Sequence, residues 1–322
     1  PPWDVSQMGE EEYFAARAPS IDALSGERRK QAIAALEHDD PILWRSYVRD
    51  RQRIEATNAF FRESGRFPLS AIGKLNTYPL FAETFAQLAA ERGRAGFIVP
   101  SGIGTDDSTK LYFQSLVESE RLVSFLGFDN ARRIFPAVHP DTPFALVTIG
   151  RSDGSSELAH YILAIEQLAD ARRRFTLMPQ DFRLINPNTR TCPVFRSQQD
   201  SALTKKLYRA APVLIEEGEP GKNPWGIAFS QGLFNMTSDS GLFLDTPASG
   251  CLPLYEAKMI HQFDHRWATY TGGESRDVTA GEKADNSFAV TPRYWVNAAD
   301  VDQRLSEKGW ERGWLMGWRN VT

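Results

Sequence analysis

Along the first sixty residues, apolar positions recur every three or four residues among Ala, Glu and Arg, the spacing of exposed amphipathic helices. From Glu10 to Phe61 the pattern predicts two or three such helices, interrupted at Asp40-Pro41. After a short loop, "ESGRFPLSAIGKLN", the residues Tyr78, Phe81, Phe85 and Leu88 keep helical spacing in "TYPLFAETFAQLAAERGRAG" until Gly93 and Gly96 stop the helix. The pattern then switches. "GFIVPS" is a short continuous apolar run, read as a strand buried on both faces. A helix over "STKLYFQSLVES", a strand "LVSFLGF", a turn and a strand "PFALVTIG" come next. Helix, buried strand, helix and two nearby strands describe the closing half of an α/β sheet with a hairpin at its edge.

Beyond Gly150 the text changes character. "ELAHYILAIEQLADARRRF" reads as a helix, followed by the Pro- and Asn-rich "LINPNTRTCPVF", a helix over "DSALTKKLYRAA", and a region dense in Gly, Asp, Ser and aromatics. A boundary is expected near residues 150 to 180, drawn as 1–150 for the sheet and 151–322 for a helical connector and a mixed α+β region. The 322 residues suffice for about two domains with a sizeable core.

Composition adds exclusions. At 42% hydrophobic and 24% charged, the chain is that of an ordinary folded protein. No apolar run approaches the roughly 20 residues that cross a bilayer, and no signal peptide opens the chain, so the expectation is a cytoplasmic protein without a membrane partner. Cys192 and Cys251 lie far apart without metal-type spacing; both are expected to be buried thiols, with neither a disulfide framework nor a zinc site. A net charge of −4 announces no polycation. Locally, however, Asp170 to Arg209 holds nine basic residues against three acidic, an excess of about six positive charges. This stretch is either a solvated helix face with its loop or a phosphate-tracking surface.

Few motifs carry chemistry singly. "VPSGIGTDDSTK" lacks the third glycine of a dinucleotide loop and the Gly-Lys-Ser/Thr of a P-loop, and Ser101 lacks the flanking glycines of a nucleophile elbow; a strand-to-helix turn is expected. "HQFDHRW" sets His261 and His265 four apart, on one face if helical, but the Glu of a zinc-protease helix is missing and no metal site is assigned. Polar packing or a DNA contact is the alternative. Aromatics crowd "NPWGIAFSQGLFNMTSDSGLFLD" and "MIHQFDHRWATY". Most are core, while their interleaving with Lys258, His261 and Arg266 makes those three candidate DNA contacts. At the very start, Pro1-Pro2 is a rigid corner that points Trp3 in a fixed direction, into a core or toward a flat ligand.

In combination these segments resemble the amino-type, adenine-N6 DNA methyltransferases, specifically the large Eco57I-like methylases of restriction and phage-defence systems. That family carries Asn-Pro-Pro followed by an aromatic at the end of a sheet strand, and "PPW" matches all of it except the Asn, which would precede Pro1. "NTYPLFAETF" resembles the next motif, a helix whose aromatic touches the cofactor's adenine ring; Phe81 occupies that place, with Tyr78 beside it. "RRIFPAVHPDTPFALVTIG" resembles the later motif whose phenylalanine packs against the extruded base, here Phe135. "NPNTRTCPVFRS", "FNMTSDSGLF" and "LYEAKMIHQFDHRWATY" resemble segments that follow the catalytic domain.

The resemblance implies the C-terminal half of a class I (Rossmann-like) methyltransferase sheet, followed by a DNA-facing region that is itself incomplete where the chain ends on "GWRNVT". It implies methyl transfer from S-adenosylmethionine to N6 of an adenine flipped out of double-stranded DNA. Pro1, Pro2, Trp3 and Phe135 would be catalytic, Phe81 and Tyr78 cofactor-binding. Most of the cofactor site would lie upstream of this chain, which alone is expected to bind the cofactor poorly and to be inactive. Partners would be double-stranded DNA and either other restriction or defence subunits or the missing N-terminal part of the same protein. The rival expectation is a non-catalytic DNA-binding or assembly module that keeps a methylase-like fold.

Overall fold

The computed structural model describes residues 1–218 and 221–319; the last three residues of "GWRNVT" lie outside them. The chain forms two compact units, residues 1–226 and 227–322.

The first unit opens with helices α1 (Glu10–Ala15), α2 (Pro19–Asp22), α3 (Gly26–Asp39) and α4 (Pro41–Glu63). Their inward positions, among them Tyr13, Phe14, Ile33, Leu36 and Tyr47, bury one another in a small core. The break expected at Asp40-Pro41 is a shared cap. The Asp40 carboxylate accepts from the Leu43 N–H at 3.0 Å, and Pro41 sits in the first turn of α4, where a missing N–H costs nothing. Helix α5 (Thr77–Leu88) follows, with the Asn76 side chain accepting from the Tyr78 N–H at 3.2 Å.

Next come β1 (Arg94–Pro100), α6 (Gly102–Thr105), α7 (Lys110–Glu118), β2 (Leu122–Phe128), β3 (Phe144–Gly150), β4 (Ser156–Ile162) and β5 (Phe175–Leu177). They build one mixed sheet in the order β1-β3-β2-β4-β5. Strands β1, β2 and β4 run parallel, and β3 and β5 run against them. The α/β class expected from the pattern is therefore what the chain adopts. After β1 the glycines make a strand-to-helix turn, and a Cβ on Gly104 would come within 2.8 Å of the Phe125 ring. Helices α8 (Pro179–Ile185) and α9 (Gln198–Ala210) complete this unit.

Four expectations change, the first being that the stretch from Glu10 to Phe61 forms four helices in place of two or three. The β2–β3 hairpin is not at the sheet edge, because β3 is inserted between β1 and β2. Strand β1 is not buried on both faces: it pairs only with β3, so Phe97 and Val99 point into the core while Ile98 stays 36% exposed. The helix read over "ELAHYILAIEQLADARRRF" is instead strand β4 followed by two short 3-10 turns, Ile165–Ala169 and Ala171–Arg173. Leu158, Ala159, His160 and Ile162 are all buried, and a run buried on both faces has no period that separates strand from helix. Pairing with β2 decides it. The residue 150/151 boundary consequently falls between two strands of one sheet, marking only the polar turn that joins them.

The two sheet faces are covered unequally. On one, Phe125, Val147 and Leu158 pack with Tyr78 and Ala82 of α5 and with Tyr112, Phe113 and Leu116 of α7. On the other, a smaller cluster of Phe128, Phe144, Ala159 and Ile162 is flanked by half-buried side chains that include Trp3 and Phe135.

The second unit, described by itself, contains β6 (Cys251–Leu254), β7 (Ala268–Thr271), β8 (Glu274–Asp277), α10 (Ala280–Ala284), β9 (Tyr294–Asn297) and α11 (Ala298–Glu307). Its sheets are two-stranded, β6 with β9 and β7 with β8. Among the described residues no helix is long and apolar enough to cross a membrane.

Candidate functional site

The N-terminal corner is fastened to the start of α5. Thr77 Oγ1 donates to the Pro2 carbonyl at 2.9 Å and accepts from the Asp4 N–H at 3.0 Å, while Asn76 Nδ2 donates to the Trp3 carbonyl at 3.2 Å. Val5 then bridges to Asn76. The Trp3 indole N–H reaches the Ile98 carbonyl on β1 at 3.3 Å, and its ring leans on the Phe128–Phe144 cluster. Pro1 and Pro2 remain exposed, and among the described residues nothing hydrogen-bonds the Pro1 carbonyl. Trp3 is neither fully core nor free: it is half-buried, one edge pinned and the rest at the surface.

Phe135 is brought to the same cluster by the loop between β2 and β3. Its ring meets Phe144 edge-on at 4.8 Å, and Phe144 stacks on Phe128 at 5.1 Å. Asn130, which sequence patterns do not single out, organises this loop. Fully buried, it accepts from the Phe135 N–H at 3.0 Å and donates through Nδ2 to the carbonyls of Phe135, Val138 and His139 at 3.1–3.3 Å. A lone Asn after an Asp carries no signal in sequence; only the returning loop reveals its role.

Trp3 and Phe135, 132 positions apart, thus converge on the face where β1 and β2 end. In open α/β sheets, ligands bind beyond the C-terminal ends of parallel strands. On α5, Phe81 is 41% exposed and supported by Phe85 at 6.2 Å, an open ring. Tyr78 differs. It lies in the main core, where burial, with a smaller contribution from Asp106, pushes its hydroxyl up to about 12.

No protein-family model and no curated protein matches the chain. Among solved structures, it is similar to the methyltransferase subunit of a type I restriction-modification system from Streptococcus thermophilus. That match has 13% identity and a TM-score of 0.32, covering 44% of this chain and 35% of the other. It is also similar to the type IIG restriction endonuclease BpuSI, at 16% identity and a TM-score of 0.30, covering 40% of this chain and 17% of that one. The matched part is about a third of the first and a sixth of the second.

Seven of the nine basic residues of the stretch are ion-paired. Arg172 and Arg173 face Asp170; Arg174 pairs with Glu157, Arg183 and Arg190 with Glu118, and Lys205 and Arg209 with Asp181. Glu118 and Glu157 lie outside the stretch, which is why its local charge count overstates the positive surface. Lys206 and Arg196 have no carboxylate partner among the described residues, and Arg196 lies over the Tyr161 ring, 5.0 Å from its centroid.

In the second unit "HQFDHRW" is a tight turn and not a helix, closed by reciprocal backbone bonds between His261 and Asp264 of 2.8 and 2.9 Å. His261 stacks on Trp267 at 4.4 Å, and exposed Lys258 lies 5.5 Å from the Tyr270 ring. The Arg266 guanidinium is engaged internally by the carbonyls of Lys283, Asp285 and Phe288 at 2.7–3.3 Å. No group of three or more His, Cys, Asp or Glu among the described residues could hold a metal. Cys192 is buried as expected, whereas Cys251 is only half-buried, beside Asn297.

Proposed function

We propose that the chain is the closing part of a DNA adenine-N6 methyltransferase, belonging to a restriction-modification or phage-defence system. The supporting observation is the convergence of Trp3 and Phe135 on one apolar cluster at the C-terminal edge of β1 and β2, with the Pro1-Pro2 corner held beside them. In this reading the catalytic part extends past residue 150 to the end of the sheet at Leu177, and the connector and target-facing part follow it.

The exocyclic N6 of adenine is a weak nucleophile, since its lone pair is delocalised into the ring. Carbonyl acceptors fixed beside it orient the amine and favour localisation of the lone pair. With the Pro2 and Trp3 carbonyls already tied to Thr77 and Asn76, the Pro1 carbonyl is the acceptor left for a substrate amine. An Asn ahead of Pro1 would supply the second. Extruding a base costs a few kcal/mol, and stacking on the Trp3 and Phe135 rings offsets part of it, each such contact being worth about 1–3 kcal/mol. S-adenosylmethionine, when bound, supplies the electrophilic methyl group. Of the two residues assigned to it, exposed Phe81 fits as a ring for the adenine moiety, while buried Tyr78 shapes the helix beneath. Lys258 and His261 remain DNA-contact assignments; the Arg266 guanidinium is taken up by the Lys283, Asp285 and Phe288 carbonyls.

The test is labelled methyl transfer from S-adenosylmethionine to DNA, reading N6-methyladenine, by the full-length product of the gene. Trp3→Ala and Phe135→Ala are each expected to lower transfer at least tenfold while the protein stays folded. A folded protein that binds cofactor and DNA yet transfers nothing would instead make the chain a recognition or assembly module.

A further inference from the structure

Strand β4 carries an irregularity that has no part in the proposed methyl transfer. Its pairing with β2 runs Leu126 to Ala159 and then Phe128 to Ile162, so His160 and Tyr161 together oppose Gly127. This is a bulge, a device that redirects side chains near the ends of strands. His160 turns inward between the Phe125 and Phe175 rings, with Nε2 3.7 Å from the Cys192 sulfur. Gly127 makes room for it, as a Cβ there would stand 2.9 Å from His160 Nδ1. Tyr161 is thrown outward at φ 57°, a conformation costly for a bulky residue, and is 47% exposed.

Tyr161 and Arg196 border a cavity of about 750 Å³ at the C-terminal ends of β2 and β4, together with Asp129, Arg172, Arg173 and Ser197. The charges in it are not equivalent. Asp170, also on the wall, is taken by Arg172 at 2.9 Å, and Asp129 accepts from the Ala131 N–H at 3.0 Å. The Arg196 guanidinium is left facing only an aromatic ring. The cavity adjoins the candidate site through the chain itself: Asp129 follows Phe128 and Tyr161 precedes Ile162, both members of the cluster on which Trp3 and Phe135 rest.

We propose that this cavity seats one nucleotide of the DNA strand flanking the target, Arg196 taking its phosphate and the Tyr161 ring its sugar or base. The inference rests on the DNA-methyltransferase reading and names a contact that reading lacks. A planar guanidinium with free donors suits phosphate, and an exposed ring held away from the core suits a base of any sequence. The pair therefore contributes grip and register, not sequence choice.

The test is a salt series of fluorescence-anisotropy titrations of the chain with a labelled mixed-sequence duplex. Arg196→Ala is expected to weaken binding several-fold and to reduce the slope of log K against log salt by about 0.9, the value for one phosphate. Tyr161→Gly, which suits the positive φ, is expected to weaken binding with the slope unchanged, because the ring bears no charge. Arg183→Ala, in the same stretch but paired with Glu118, should leave both unchanged. Thermal unfolding of each variant separates binding from folding. Unaltered affinity and slope in Arg196→Ala would overturn the assignment while leaving the methyltransferase reading standing. A chain that binds no duplex even at low salt would also overturn it, and the methyl-transfer assay would then judge the broader reading independently.

Discussion

Tyr161 and Phe263 are both large aromatics at left-handed φ, 57° and 60°, yet they are held there by different means. Tyr161 belongs to the sheet unit, where the bulge is packed from beneath by His160, Phe125, Phe175 and Cys192. Phe263 belongs to the second unit and stands fully exposed on a turn that polar bonds fix. There, Asp264 accepts from the Arg266 N–H and pairs with Lys283, both near 2.8 Å, while Lys283 also lies over the Trp267 ring at 4.7 Å. The contrast extends to the units around them. Residues 1–226 contain apolar clusters on both sheet faces and among the helices, whereas 227–322 combines fewer buried apolar residues, among them Met259, Val278 and Val296, with short two-stranded ladders and arginines that reach backbone carbonyls. Apolar packing tolerates salt and yields to cavities. Polar scaffolding does the reverse.

The largest effect that would test this contrast is Phe125→Ala. The ring is 1% exposed, meets Phe113 and His160, and its loss should cost about 3–5 kcal/mol in urea unfolding. Unfolding of residues 1–226 at lower urea, with signals of 227–322 unmoved, is the expected result; equal loss in both would show the two units to be one cooperative body.

Acid should come second. Burial lowers His160 from 6.5 to about 4, and the titratable group facing it is the Cys192 thiol, itself pushed up by burial and neutral. The unfolded state therefore binds more protons than the folded one between these values. Stability is complete above about pH 6.5 and declines as pH falls toward 4, by roughly 3 kcal/mol in total. His160→Gln should flatten that decline, measured as urea midpoint against pH. In the second unit, Asp264→Asn removes the Lys283 ion pair and should cost only about 1 kcal/mol, shrinking further in high salt.

The same division governs how much of the structure is legible in the sequence. Helices α4, α5 and α7 follow from periodicity, and strands β1 to β3 from short apolar runs bounded by turn residues. Strand β4 does not, since its burial on both faces erases the period, and β3's insertion is a pairing choice that no local pattern encodes. The PPW corner reads as rigid from its prolines, but its anchorage by Asn76 and Thr77, over seventy positions away, does not. Asn130, Arg196 and the bulge belong to this second kind: each acts through one partner supplied by tertiary structure. In 227–322, the mixture of aromatic and cationic residues suggests a surface, and it does not disclose that the Arg266 guanidinium bonds the Lys283, Asp285 and Phe288 carbonyls.

The smallest effect has the opposite sign. Phe263 packs on nothing that its removal would uncover, and its φ of 60° is one that Asn or Gly adopts at less cost. Phe263→Asn should therefore stabilise the second unit, by up to about 1 kcal/mol, seen as a rise of a few degrees in its thermal midpoint. Tyr161→Asn should not, because there the ring is half-covered and lies under a guanidinium, so relieved strain is offset by lost contact. If both substitutions raise stability equally, the buried scaffold beneath Tyr161 contributes nothing to holding its ring. If only Phe263→Asn does, the turn keeps its aromatic against its own folding preference, and the reason for the ring lies outside the folded unit.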